Sequence, residues 1–246
     1  MITLHHDDCF NIFPTLEDNS IDLVLCDMPY GTTACKWDTV LDLELMWQHI
    51  KRISKDNAAV VLTASQPFTS VLVCSNLMQY RCSWIWEKSS ASNFLNAKRV
   101  PLNNTEDVIV FSKASANSMS KAPMVYYPQG LITTVKTRVN STTGGKIGQE
   151  GRIGIKKGTT YTQEYSNYPT KIIKFKNEKN TKHPTQKPVS LMEYLVKTYS
   201  NEGDIVLDFC MGSGSTGVAC KNLNRNFIGI EKEEKYYNIS LERINL

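Results

Sequence analysis

Asp27-Met28-Pro29-Tyr30 follows directly on the apolar run Ile21-Asp22-Leu23-Val24-Leu25-Cys26. A carboxylate, a rigid turn and an aromatic ring thus sit at the carboxyl end of a predicted strand, where α/β proteins place reactive groups. One chemistry that needs these three together is methylation of an exocyclic amine. The nitrogen lone pair is delocalised into the ring, and hydrogen bonds to both N–H groups localise it. Asp27 and a nearby backbone carbonyl can accept those bonds, Pro29 can hold the turn, and Tyr30 can stack on a base taken out of its helix. Attack on a sulfonium-bound methyl group then calls for positioning and electrostatics rather than a covalent nucleophile.

A second chemical element is Gly212-Ser213-Gly214-Ser215-Thr216-Gly217. It formally fits G-x-G-x-x-G, lies between a predicted strand and a predicted helix, and is followed by Glu231 at the end of the next strand. Glycines let a backbone approach a nucleotide-like ligand, and the acid can grip two ribose hydroxyls. Nicotinamide dinucleotides and S-adenosylmethionine both use such a site. Only 29 residues follow Gly217, too few for a dinucleotide fold built forward from this strand. That count leaves open a permuted sheet with this half last. No Gly-Lys-Ser/Thr follows, which excludes a phosphate loop.

The elements that must position these groups alternate β and α. Short apolar runs at 21–26, 58–62, 83–86, 107–111, 204–209 and 226–231 read as strands, several of them buried on both faces. Leu41, Leu45, Met46, Ile50 and Ile53 have helical spacing. Residues 189–199 read as a helix opened by a capping box of Ser190 and Glu193. A mostly parallel α/β sheet follows.

Between 112 and 182 the texture changes. This segment carries thirteen Lys/Arg against Glu150, Glu164 and Glu178, whereas the whole chain has a net charge of only +4. Tyr126, Tyr127, Tyr161, Tyr165 and Tyr168 are interleaved with its lysines. A mildly acidic body with one basic insert suggests a polyanion bound by that insert alone. Arg138 and Arg152 are its candidate base readers. Seven scattered cysteines without C-x-x-C predict neither a zinc site nor a disulfide framework; reduced thiols in a cytoplasm are expected. No signal peptide or membrane span is expected. None of the nine prolines precedes a cysteine, which excludes cytosine-C5 methylation through a Pro-Cys thiolate.

Asp27-Met28-Pro29-Tyr30 resembles the D-P-P-Y motif of amino-methyltransferases. Asp208-Phe209-Cys210-Met211-Gly212-Ser213-Gly214 resembles their D-P-F-x-G-S-G cofactor loop, and Lys182-His183-Pro184-Thr185-Gln186-Lys187-Pro188 resembles their K-H-P-T-Q-K-P segment. The order is that of the β class of DNA N6-adenine/N4-cytosine methyltransferases. The resemblance implies an S-adenosylmethionine-dependent, Rossmann-like, circularly permuted methyltransferase fold. Residues 1–111 would form its catalytic half, 112–182 a target-recognition insert and 183–246 its cofactor-binding half.

It further implies that Asp27, Pro29 and Tyr30 hold the target base. Asp208, Phe209, Gly212, Ser213, Gly214, Ser215 and Thr216 would surround the methionine part of the cofactor, with His183 and Lys187 near its end and Glu231 on its ribose. Leu4 to Cys9 resembles a family strand ending in Gly-Asp-Cys, which puts Asp8, with Cys9 beside it, at the cofactor's adenine. The sequence departs from the family at Met28, Phe209 and Cys210. The expected activity is adenine-N6 methylation of double-stranded DNA, with cytosine N4 as the nearest alternative. An RNA or protein substrate and a non-catalytic DNA-binding role are further alternatives. Members of the class are often homodimers, although no residue pattern here marks one, and any restriction endonuclease would be a separate chain.

Overall fold

The structure, a computed structural model, describes residues 1–31, 38–117, 120–139, 158–178 and 185–245. They form two compact units, Met1–Tyr127 with Lys171–Leu246, and Pro128–Thr170.

In chain order the first unit contains β1 (Ile2–His6), α1 (Cys9–Ile12), β2 (Ile21–Cys26), α2 (Leu43–Ile53), β3 (Ser54–Ala64), α3 (Phe68–Ser75), β4 (Tyr80–Ser92) and β5 (Asn103–Phe111). The second unit contributes β6 (Ile132–Val139) and β7 (Thr160–Ser166), an antiparallel ribbon with most residues exposed. The first unit resumes with β8 (Ile172–Lys174), α4 (Val189–Tyr199), β9 (Ile205–Asp208), α5 (Ser215–Asn222), β10 (Asn226–Glu231) and α6 (Glu234–Asn245).

The eight-stranded sheet runs β1-β10-β9-β2-β3-β5-β4-β8. All its neighbouring strands are parallel except where β5 pairs antiparallel with β3 and β4. This is the mixed, mostly parallel α/β fold that the strand runs predicted. β9 and β10 come late in the chain yet lie between β1 and β2, as the circularly permuted fold implied by the family resemblance requires. Their carboxyl ends and that of β2 therefore open on one edge.

Side-chain alternation explains why both sheet faces are dry. Leu23 and Leu25 pack with Leu191, Leu195 and Ile244 on one face. Val24 and Cys26 pack with Met46, Ile50 and Leu72 on the other. A strand buried on both sides in this way needs a nearly unbroken apolar run. Burying each such aliphatic side chain contributes roughly 1.5–3 kcal/mol before entropy is counted.

Two features differ from expectation. The compositional change at Ser112 does not coincide with the edge of the second unit. Met124 is buried in the core, Val125 N–H donates to Asn57 O at 3.0 Å, and β8 pairs with β4, so both flanks of the basic segment are tied to the main sheet. The capping box on α4 does not form. Pro188 occupies the cap position, the Val189 N–H donates to Glu178 Oε1 at 2.8 Å, and Glu193 accepts instead from Asn222 Nδ2 at 2.8 Å. Ser190 lies inside the helix, where it cannot serve as the cap.

Candidate active site

The turn after β2 is fixed from several sides. Asp38 is buried, and its Oδ1 accepts from the backbone N–H groups of Tyr30 and Gly31, both at 2.8 Å. The Tyr30 hydroxyl donates to Asp27 Oδ1 at 2.7 Å and also lies 2.7 Å from Thr63 Oγ1, while Thr63 Oγ1 donates to the same Asp27 oxygen. The Tyr30 ring stacks on Phe68 with centroids 5.6 Å apart, so one of its faces is already covered. Met28, standing where the motif has its first proline, is buried in the core beside this turn.

Lys187 completes the arrangement. Its side chain is only 6% exposed, with Nζ 2.6 Å from Asp27 Oδ2 and 3.3 Å from Glu106 Oε2. Glu106 Oε1 in turn meets Lys88 Nζ at 2.5 Å. Burial alone would push the Asp27 pKa up, but the Lys187 ammonium with the Thr63 and Tyr30 hydroxyls outweighs it and holds the carboxyl below its usual range. Burial would lower Lys187, yet Asp27 and Glu106 together raise it. The pair is charged at neutral pH, and Asp27 is an acceptor.

The Gly-rich turn joins β9 to α5. Gly212 (φ +52) and Gly214 (φ +78) both have left-handed backbone, which favours glycine. A side chain on Gly214 would meet Ile244 Cδ1 at 2.9 Å, so this glycine serves the packing of α6, whereas the same position on Gly212 opens on free space. Gly212 N–H donates to Glu231 Oε2 at 2.9 Å, and Glu233 N–H donates to Glu231 Oε1 at 2.8 Å. Burial raises the Glu231 pKa, and these two N–H groups partly offset it. Ser215 Oγ donates to the Lys187 carbonyl at 2.8 Å, tying the turn to the lysine backbone. Ser213 Oγ donates to Gln186 Oε1 at 3.1 Å. Burial drives Asp208 up to about 7 despite bonds from Thr216, the Cys210 N–H and Cys26.

These loops share one cavity of about 400 Å³. Its lining brings together Asp27, Pro29, Tyr30 and Lys187 with Asp8, Cys9, Asp208, Phe209, Gly212, Ser213, Ser215, Thr216 and Glu231. Gly214 is not among the lining residues and packs against α6. His183 and Arg152 lie outside the described residues. Asp8 reaches the cavity from the start of α1, where its Oδ1 caps the helix by accepting from Phe10 N–H at 3.0 Å.

Asp38, Thr63, Phe68, Lys88 and Glu106 were missed by sequence reasoning. None stands in a short motif, and all but Asp38 act through partners distant in the chain; Asp38, within reach of Tyr30 along the chain, is the one that a search for loop-fixing acids could have found. Acidic groups outnumber basic ones around the cavity, Gly212 faces free space, and Glu231 is among the lining residues. These features suit a cationic nucleoside such as S-adenosylmethionine.

The profile of the DNA methylase family, the N6/N4 methyltransferases, matches residues 21–242. The chain belongs to that family. It is 28% identical over 251 residues to the type II methyltransferase M1.MboII of Moraxella bovis, covering 96% of this chain and 93% of that protein. It is 24% identical to the DNA adenine methyltransferase YhdJ of Escherichia coli K12, covering 99% and 83%. Among solved structures, the M1.HpyAVI–SAM complex superposes with a TM-score of 0.67 at 27% identity over the whole of both chains. The cytosine-N4-specific PvuII DNA methyltransferase gives 0.67 at 14% identity, covering 98% and 86%, a likeness of fold alone.

Proposed function

We propose that this methylase transfers a methyl group from S-adenosylmethionine to N6 of an adenine flipped out of double-stranded DNA. The observation that carries the reading is the shared cavity. The Asp27 turn and the Gly212 turn face one common space, and Lys187 is hydrogen-bonded to both loops.

In this reading Glu231 takes the cofactor's ribose, Asp8 and Cys9 flank its adenine, and Asp208, Phe209, Gly212, Ser213, Ser215 and Thr216 surround its methionine part. When bound, S-adenosylmethionine supplies a methyl carbon on a sulfonium that leaves with the bonding pair. Asp27 accepts a hydrogen bond from the target amine and localises its lone pair. Lys187, by keeping Asp27 ionised, preserves that acceptor. Because its basicity is lowered, Asp27 orients the amine rather than storing its proton, and the surplus proton passes to water. Pro29 stiffens the turn, and Tyr30, braced by Phe68, forms a wall for the base.

Asp at the first motif position and the adenine activity named for the E. coli relative support adenine over cytosine N4. The exposed ribbon of the second unit, with Lys136, Arg138, Tyr161 and Tyr165, is assigned to target recognition. Among the described residues no helix is long and apolar enough to cross a membrane, and a cytoplasmic location suits the substrate. Cleavage, where it accompanies modification, is assigned to a separate endonuclease, and self-association to a homodimer is to be read by sedimentation. Digesting treated DNA to nucleosides for mass spectrometry tests the activity: N6-methyladenine is expected, and N4-methylcytosine alone would overturn the base assignment. Asp27→Ala should abolish methylation while cofactor binding stays measurable by calorimetry.

A further inference from the structure

The antiparallel pairing of β4 with β5 reaches Ser92 opposite Asn103 and then opens into the loop 93–102. This loop has its own internal order. Asn93 takes a left-handed conformation (φ 71), Asn96 Nδ2 donates to Asn93 Oδ1 at 2.7 Å, and the N–H groups of Arg99 and Val100 donate to Asn96 O at 2.8 and 3.1 Å. The same order presents apolar side chains to water: Leu95 is 102% exposed and Phe94 67%, with Val100 and Leu102 also exposed. Ordered exposure of large apolar groups marks a contact surface.

Two further observations define the contact. Lys98 and Arg99 are the only charged residues between Lys88 and Glu106, so the tip is purely basic. The base of the hairpin, through Lys88, Ser92, Asn103 and Glu106, lines the cavity that holds Asp27. The apolar tip therefore stands on the two strands that wall the base-receiving end.

We propose that Leu95, with Phe94, is the wedge that enters the base stack as the target leaves it, while Lys98 and Arg99 meet the flanking phosphates. An extruded base leaves its neighbours unstacked, and an inserted apolar side chain offsets that cost. The inference rests on the DNA methyltransferase reading and deepens it by assigning the flipping step to this loop.

The test compares wild type with Leu95→Ala and the Phe94→Ala/Leu95→Ala double variant; both side chains are in solvent, and thermal melting verifies the fold. The substrates are two duplexes containing the methylated context found by sequencing DNA from expressing cells. In one the target base is paired; in the other it faces an abasic site and needs little help to leave the stack. The double variant should lose about thirtyfold in kcat/KM on the paired duplex and less than about threefold on the abasic one. The 2-aminopurine signal at the target position should fall with the paired rate. Equal losses on both duplexes, or none on either, would overturn the wedge. So would unchanged duplex kinetics with lost self-association in sedimentation or lost binding to anionic vesicles, which would assign the tip to a second copy or a membrane. Wild type inactive on both duplexes would instead overturn the methyltransferase reading beneath it.

Discussion

Replacing Lys187 by methionine keeps the apolar stem and removes the ammonium that stands 2.6 Å from Asp27 and 3.3 Å from Glu106. Removing one partner of a buried ion pair costs about 3–5 kcal/mol, because the remaining charge is left without compensation. Here Asp27 keeps the Tyr30 and Thr63 hydroxyls and Glu106 keeps Lys88, so the lower end, roughly 3 kcal/mol, is expected. For a chain of this size that corresponds to a melting temperature lower by about 6–12 °C.

The pH dependence carries a sign. In the wild type Asp27 sits below its ordinary 3.8, so its contribution is complete above that value and is lost as pH falls through the folded pKa. Lys187 sits above 10.5, so its contribution is complete below that value and is lost as pH rises through the folded pKa. Across the neutral range the pair therefore contributes a constant amount. In the variant, burial raises Asp27 with no cation to oppose it. The gap in melting temperature should consequently be narrower near about pH 4 than near about pH 8, and the methylation rate should shift to higher pH. Scanning calorimetry and methyl transfer from labelled cofactor read the two effects. A melting change under about 2 °C with an unaltered pH–rate profile would refute the assigned coupling.

Asp208→Asn should flatten the pH dependence of apoprotein stability. With its folded pKa raised to about 7 against an ordinary 3.8, Asp208 favours the fold most at low pH and costs stability as pH rises through about 7, which melting curves across that range will show. Gly217→Ala would bring a methyl carbon 2.4 Å from Ile244 Cδ1 and 2.7 Å from Phe227 Cε1, and should lower stability by about 1–3 kcal/mol in denaturant titration with little change in cofactor affinity. Asp38→Ala frees the two N–H groups of the Tyr30 turn; kcat should fall about tenfold or more while the cofactor Kd is held, and equal changes in both would contradict its role.

Much of the site was legible because its parts are local. Asp27-Met28-Pro29-Tyr30 and the turn at Gly212 each depend on a strand end and a few adjacent residues, and strand ends show as breaks in apolar runs. What local pattern did not display has physical causes too. Gly214 stands within the cofactor motif but answers to a steric demand from α6, which no local pattern displays. The Ser190–Glu193 pair has the spacing of a cap, yet Glu178, brought in from the segment beyond β8, reached the Val189 N–H first.

The residue pattern by itself determined which chemistry the chain carries and where along the chain its main strands fall. An acceptor beside an aromatic ring, a twice-left-handed turn and an acid at the next strand end are all short-range features, set by side-chain type and backbone sterics. Only the tertiary structure decided the charge state of Asp27 and the company it keeps. A Coulomb interaction strong enough to offset burial requires Lys187 and Glu106 at ion-pair distance and away from water, and that proximity comes from the sheet placing β2, β5 and the segment before α4 around one cavity.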